Sequence, residues 1–168
     1  YPLLMEATLA DGSKQSFEQM LLVTSGNYSS EDIPLNDPSF IDPAVTEPEL
    51  ENIVALTIPA TPTRYWTDIF TSPATDPDCF TSRYGTRRTY KIINSDAETP
   101  GFHTGLDFCG GEGLQIFAPA PGTVVFAAPL TVRGYATVID HGWGVYSGFW
   151  HQSQILVLDQ GVIGPAPC

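Results

Sequence analysis

The sequence predicts an all-β protein built around an antiparallel β-sheet or sandwich. The 168 residues include 15 glycines and 15 prolines, a composition that favours turns and loops over long helices. From residue 79 onward, short apolar segments alternate with glycine-rich turns, as is typical of antiparallel all-β folds. Hydrophobic residues make up 42% of the chain, which is sufficient for a core. We therefore expect the main β domain in the C-terminal part of the chain.

The charge balance excludes two classes of partner. The chain has 19 acidic and 7 basic residues, a formal net charge of −12, which repels both nucleic acid and anionic lipid surfaces. No apolar run reaches the length of about 18 residues that a membrane span requires. The chain starts with Tyr1 inside an apolar run rather than with methionine, so we expect a processed product or a piece of a longer polypeptide.

Residues 1–25 predict a β-hairpin. Residues 3–9 and 17–23 are apolar, and an Asp-Gly turn signal lies between them. An isolated hairpin is marginally stable in water, so this one needs a packing partner. It resembles the closing strands of an immunoglobulin-like sandwich whose earlier strands would precede the chain. The hairpin is either a spacer or binding module, or it packs on the following domain.

Residues 26–65 predict an acidic, proline-rich linker with one short helix. Because proline lacks an N–H group and fixes φ, residues 33–38 cannot join the interior of a sheet and should lie extended over a surface. Thr46 and Glu49 have the spacing of a capping box, and apolar residues follow at helical spacing. A helix is therefore predicted over residues 47–56.

Residues 66–168 predict the main domain. Its strands are expected over residues 79–84, 105–108, 114–117, 122–128, 135–140, 145–150 and 155–158.

The three cysteines indicate one disulfide and one remaining thiol in an exported protein. Cys79 and Cys109 are the favoured pair because both lie in or beside strand-like segments of one region, which leaves Cys168 over. The alternative is three unpaired thiols, since sequence spacing does not establish the geometry of a bridge.

Residues 102–108 carry the candidate chemistry. In an extended segment alternate side chains share a face, so His103 and Asp107 point the same way with only Gly105 between them. An imidazole nitrogen and a carboxylate oxygen are ligands that suit Zn²⁺. The alternative is that His103 is a surface turn residue and Asp107 caps a turn.

The chain resembles the lysostaphin and LytM type of zinc metalloendopeptidase over roughly residues 66–164. The resemblance lies in the order and spacing of blocks at residues 81–88, 103–108, 118–124, 139–142 and 149–151. It implies a peptidoglycan hydrolase domain with an antiparallel β core that cuts stem peptides or cross-bridges. It also implies a location outside the cell or in the cell envelope.

The resemblance assigns roles to individual residues. His103 and Asp107 match the two zinc ligands of the family's His-x-x-x-Asp block, and His151 matches a catalytic imidazole that moves a proton or stabilises an oxyanion. The alternative for His151 is a core histidine between aromatic residues. His141, in an Asp-His-Gly turn, is expected to be structural rather than a ligand.

Two further groups have open roles. Arg87 and Arg88 would either bind a substrate carboxylate or form a solvated face. A set of aromatic residues would either floor a groove for an extended peptide or belong to the core: Tyr90, Trp143, Tyr146, Phe149 and Trp150.

The sequence lacks the family's final His-x-His block, so its zinc site is incomplete. No histidine follows His151, whereas a catalytic zinc normally takes three protein ligands. Either a continuation of the chain carries the missing histidines, or His141 or a neighbouring subunit completes the site. Otherwise the domain is an inactive structural or binding component of the cell surface, in contact with other copies or other surface proteins.

Overall fold

The computed structural model of the protein describes residues 1–157 and 161–163. The described residues form eleven strands, one 3-10 turn and one α-helix, which confirms the all-β prediction. In chain order these are β1 (Pro2–Thr8), β2 (Lys14–Met20), β3 (Ser30–Leu35), the 3-10 turn (Pro38–Ile41), α1 (Pro43–Thr57), β4 (Phe80–Ser82), β5 (Arg87–Ile92), β6 (Glu98–Phe102), β7 (Asp107–Phe108), β8 (Gly122–Leu130), β9 (Gly134–Asp140), β10 (Tyr146–Gln152) and β11 (Val162–Ile163).

The core lies on the largest sheet, whose strands are antiparallel in the order β10-β9-β8-β11. Its buried apolar residues come from β8 and β9, with Val124, Ala136, Val138 and Ile139 at most 2% exposed. Three of the strands predicted from the sequence, at residues 122–128, 135–140 and 145–150, correspond to β8, β9 and β10. Two of the predicted strands, β8 and β9, therefore supply the buried apolar residues of this sheet.

A second sheet has the order β3-β5-β6 and brings the acidic segment into the fold. β3 runs parallel to β5, and Glu31 lies opposite Arg88 in the register. This strand was not predicted, because residues 30–35 lie in the proline-rich segment interpreted as a linker. Its position at the sheet edge agrees with the expected exclusion of this segment from a sheet interior, since Pro34 cannot donate a backbone hydrogen bond.

The N-terminal hairpin forms as predicted. β1 and β2 pair antiparallel from Pro2 opposite Met20 to Thr8 opposite Lys14, and Gly12 takes the positive φ of the connecting turn. Every residue of both strands is exposed. A packing partner was expected for the hairpin, but none of residues 1–157 and 161–163 covers it.

The helix begins earlier than predicted. Asp42 caps α1 by accepting a hydrogen bond from the Ala44 backbone N–H at 2.9 Å, and a proline occupies the first turn. The predicted capping box of Thr46 and Glu49 is therefore wrong. The Glu49 side chain is buried and accepts hydrogen bonds from the Val132 backbone N–H at 2.9 Å and from Arg133 Nη1 at 2.7 Å.

Residues 59–66, which we name the strap, cross the turn between β9 and β10. The carbonyl oxygens of the strap accept hydrogen bonds from the Trp143 backbone and indole N–H groups and from the Tyr146 hydroxyl. Gly142 has φ +86°, and a Cβ at this position would lie 1.8 Å from the carbonyl oxygen of Thr63. Trp143 and Tyr146 thus use their polar atoms to hold the strap.

The disulfide predicted between Cys79 and Cys109 is present, with the two Cα atoms 5.2 Å apart. It joins the segments that lead into β4 and out of β7, which pair antiparallel. Residues 105–108 contribute only the two-residue β7, and residues 114–117 form a single bridge between Ala74 and Ile116 instead of a strand.

The last predicted strand, at residues 155–158, is not formed at residues 155–157, and Leu158 lies outside the described residues, as does Cys168. In the described part of the chain, none of the helices has the length and apolar character that crossing a membrane requires.

Candidate metal site

His103 is held at the end of β6 by its backbone. Its N–H group donates to the Thr86 carbonyl at 2.8 Å, and its carbonyl accepts from the Gly85 N–H at 2.8 Å. The residue is 8% exposed. The side-chain Nδ1 lies 3.2 Å from the Arg83 carbonyl oxygen and 3.3 Å from Ser82 Oγ. The imidazole is therefore fixed on its Nδ1 side by groups of the β4 region.

The other imidazole nitrogen faces the predicted second ligand. His103 Nε2 lies 3.1 Å from Asp107 Oδ1; the two side chains share a face as expected, and the bend at Gly105, rather than an extended strand, brings them into contact. A carbonyl oxygen can only accept, so the Arg83 contact assigns the proton of the neutral ring to Nδ1 and leaves a lone pair on Nε2. Two electron-pair donors that face each other at this separation are suited to share a metal cation.

Arg88 contacts the opposite oxygen of the same carboxylate. Its Nη2 lies 3.1 Å from Asp107 Oδ2 and donates to Ser82 Oγ at 3.0 Å. Its Nε donates to Glu31 Oε1 at 2.6 Å. The Arg88 side chain is only 16% exposed, so Arg88 is not the solvated residue that one interpretation of the sequence expected.

Glu31 completes this group of side chains from the edge strand β3. Its Oε1 also accepts a hydrogen bond from Ser82 Oγ at 3.0 Å. The hydrogen bond from Arg88 is the largest cause that lowers the pKa of the Glu31 carboxyl, and Ser82 adds to it. The guanidinium therefore lies between two carboxylates, one from the acidic segment and one from the candidate ligand pair.

His151 lies elsewhere, on β10. A register shift between Phe149 and Gln152 marks a bulge in this strand, and His151 has φ +57°. Its backbone N–H donates to the Arg133 carbonyl at 2.7 Å, while the residue is exposed. Within the described residues, no hydrogen bond or ion pair joins its side chain to His103 or Asp107.

His141 has the structural role expected for it. The residue is fully buried, and its Nδ1 donates to the Pro121 carbonyl at 2.8 Å, so its Nε2 accepts from Ser147 Oγ at 2.9 Å. Its ring also packs edge to face on Phe70, with centroids 4.8 Å apart. Both nitrogens are used, so this histidine is not the third ligand.

Among residues 1–157 and 161–163, no group of three or more His, Cys, Asp or Glu side chains is placed to hold a metal ion. The structure therefore brings His103 and Asp107 together but adds no third ligand from the described residues. Sequence reasoning missed Glu31 and Ser82. Ser82 and Arg88 both carried a signal, because they lie in the block at residues 81–88, whereas nothing in the acidic segment distinguished Glu31 from its acidic neighbours.

Comparison with known proteins found one family match and a similar solved structure. Residues 101–163 match the model of peptidase family M23. A crystal structure from Pseudomonas aeruginosa, named as a candidate M23 peptidase, superposes with a TM-score of 0.61 at 22% identity. The match covers 98% of this chain and 57% of that chain, and at this identity it shows the fold alone. No curated protein matches the chain.

Proposed function

We propose that residues 101–163, which match the model of peptidase family M23, form a peptidase domain of the lysostaphin and LytM type that the sequence resembles, and that this domain is directed at peptidoglycan. Its substrates would be the stem peptides or cross-bridges of the cell wall. The observation that carries the proposal is the pairing of His103 Nε2 with Asp107 Oδ1 at 3.1 Å. This pair lies inside the matched segment and has the donor atoms of the family's His-x-x-x-Asp block.

His103 and Asp107 would hold the zinc ion of this site. The nitrogen and oxygen donors fit zinc, and the lone pairs that face each other explain why a cation would bind there. Bound zinc would lower the pKa of a water molecule and polarise the scissile carbonyl. The described residues supply two of the three protein ligands that a catalytic zinc takes, so the complete site requires one donor from outside them.

His151 would be the imidazole that moves a proton or steadies the developing oxyanion. Its exposed side chain is free to meet a substrate, while its backbone is fixed by the Arg133 carbonyl. His151 would therefore take part in the reaction by contacting the substrate and not by contacting His103 or Asp107.

The proposal also places the protein outside the cell or in the cell envelope. The disulfide between Cys79 and Cys109 supports this location, because such bonds persist in oxidising compartments.

Zinc content and peptidoglycan hydrolysis test the proposal together. We expect the full-length protein to bind zinc and to release peptides from purified peptidoglycan. His103→Ala and Asp107→Ala should lose both properties, whereas His151→Ala should keep zinc and lose hydrolysis. Circular dichroism checks that each variant is folded.

Zinc binding that survives in Asp107→Ala would contradict the ligand assignment. A folded full-length protein that binds no zinc and releases no peptide would instead indicate a non-enzymatic component of the cell surface.

A further inference from the structure

We propose that Arg88 and Glu31 are positioning residues for the metal site, so that strand β3 of the acidic segment forms part of it. The inference rests on the proposed function, because it takes the cation at His103 and Asp107 as its starting point. Neither residue belongs to the ligand pair: Arg88 acts on Asp107, and Glu31 acts on the pair through Arg88 and Ser82.

Asp107 needs an external constraint to serve as a ligand. Its side chain is 47% exposed, and its strand β7 has only two residues. A carboxylate in such a place can rotate away from its partner. The ion pair between Arg88 Nη2 and Oδ2 leaves Oδ1 as the oxygen that faces His103. Arg88 thus selects which carboxylate oxygen is presented to the cation.

Glu31 in turn sets the orientation of Arg88. The guanidinium is a rigid planar fork, so fixing Nε fixes the direction in which Nη2 points. Glu31 holds Nε at 2.6 Å and also accepts from Ser82 Oγ, which contacts His103 Nδ1. Glu31 therefore supports His103 through the Ser82 hydroxyl and Asp107 through the Arg88 guanidinium.

The same two strands provide a matched control. Asp32 and Lys91 form an ion pair between β3 and β5 at 2.6 Å, but their side chains are 62% and 47% exposed. Neither contacts His103 or Asp107 in the described part of the chain. Removing this pair perturbs the strand pairing without touching the group around Arg88.

The experiment measures zinc affinity by competition with a chromophoric chelator on the full chain. We expect Glu31→Gln and Arg88→Gln to weaken zinc binding by about 10- to 100-fold, as for other partners of metal ligands. Arg88→Lys should recover part of the affinity because it restores the charge but not the fork. Asp32→Asn should bind zinc like the unmodified chain. Thermal unfolding of each variant separates a loss of fold from a loss of affinity.

Each outcome decides the inference. If Glu31→Gln binds zinc as tightly as Asp32→Asn, while His103→Ala has lost zinc, the positioning role is refuted and the proposed function stands. Tighter binding by Arg88→Gln would show that Arg88 competes with the metal for Asp107, which also overturns the inference. If the unmodified full-length protein binds no zinc, the proposed metal site and the inference both fail.

Discussion

Replacing Glu49 with alanine tests what holds helix α1 on the β fold. The large apolar residues of this helix are incompletely covered: Leu50 and Val54 are 49% and 47% exposed, and Val45, Ile53 and Leu56 are only half-buried. The buried side chain is instead the carboxylate of Glu49, at 6% exposure. We infer that the contacts of Glu49 with Val132 and Arg133 hold the helix more strongly than its apolar packing does.

The magnitude follows from the two donors that Glu49→Ala would leave. Breaking a fully buried ion pair costs about 3–5 kcal/mol, and an unsatisfied buried donor costs about 1–3 kcal/mol. The Arg133 side chain is 25% exposed and Val132 is half-buried, so water recovers part of this loss. We therefore expect the free energy of unfolding to fall by about 2–3 kcal/mol.

Urea unfolding, followed by tryptophan fluorescence and circular dichroism, measures this change. Glu51→Ala is the matched control, because Glu51 is exposed on the same helix and the two substitutions change helix propensity equally. The control should stay within about 0.5 kcal/mol of the unmodified chain. A Glu49→Ala variant as stable as this control would refute the argument. It would indicate that the apolar contacts of α1 hold the helix on the β fold.

Three further predictions concern stability. Replacing Cys79 and Cys109 with serine should lower the free energy of unfolding by about 3–4 kcal/mol, because the bridge closes a 30-residue separation; a urea midpoint that does not move would contradict this. The pKa of Glu31 lies below its ordinary value of 4.5, so its stabilisation is complete above that pH and is lost as the pH falls through the lower, folded-state pKa. The stability difference between the unmodified chain and Glu31→Gln should therefore shrink in acid, and a difference that is independent of pH would contradict the ion pair. Gly142→Ala should destabilise the chain by about 3 kcal/mol, since it adds a clash with the strap to the cost of a positive φ. Gly12→Ala has a similar φ and open space around it, so thermal unfolding should show only about 1 kcal/mol of loss there.

Local sequence signals predicted the parts of the fold that local physics controls. The Asp-Gly turn predicted the first hairpin, and the alternation of short apolar segments with glycine predicted β8, β9 and β10. Cys79 and Cys109 were paired from their regional context. The alternation of an extended segment predicted that His103 and Asp107 share a face, but their contact forms at the bend around Gly105 between β6 and β7, which that argument did not include.

The missed features depend on contacts between distant segments. The acidic, proline-rich composition of residues 26–65 concealed β3, because the strand exists through its pairing with β5 and not through its own propensity. Glu49 was interpreted as a local cap, whereas its partners lie more than 80 residues away. For the same reason, the contact of Glu31 with Arg88 could not be predicted from either neighbourhood.

These long separations also have a consequence for the order of folding. Glu31 and Arg88 are 57 residues apart in the chain, Thr61 and Asp140 are 79 apart, and Glu49 and Val132 are 83 apart. Such contacts form slowly, because the entropy of closing a large loop is lost before the contact is gained. During synthesis the acidic segment emerges before all of these partners. We therefore expect α1 and the strap to dock only after β8 and β9 have paired, at the end of folding.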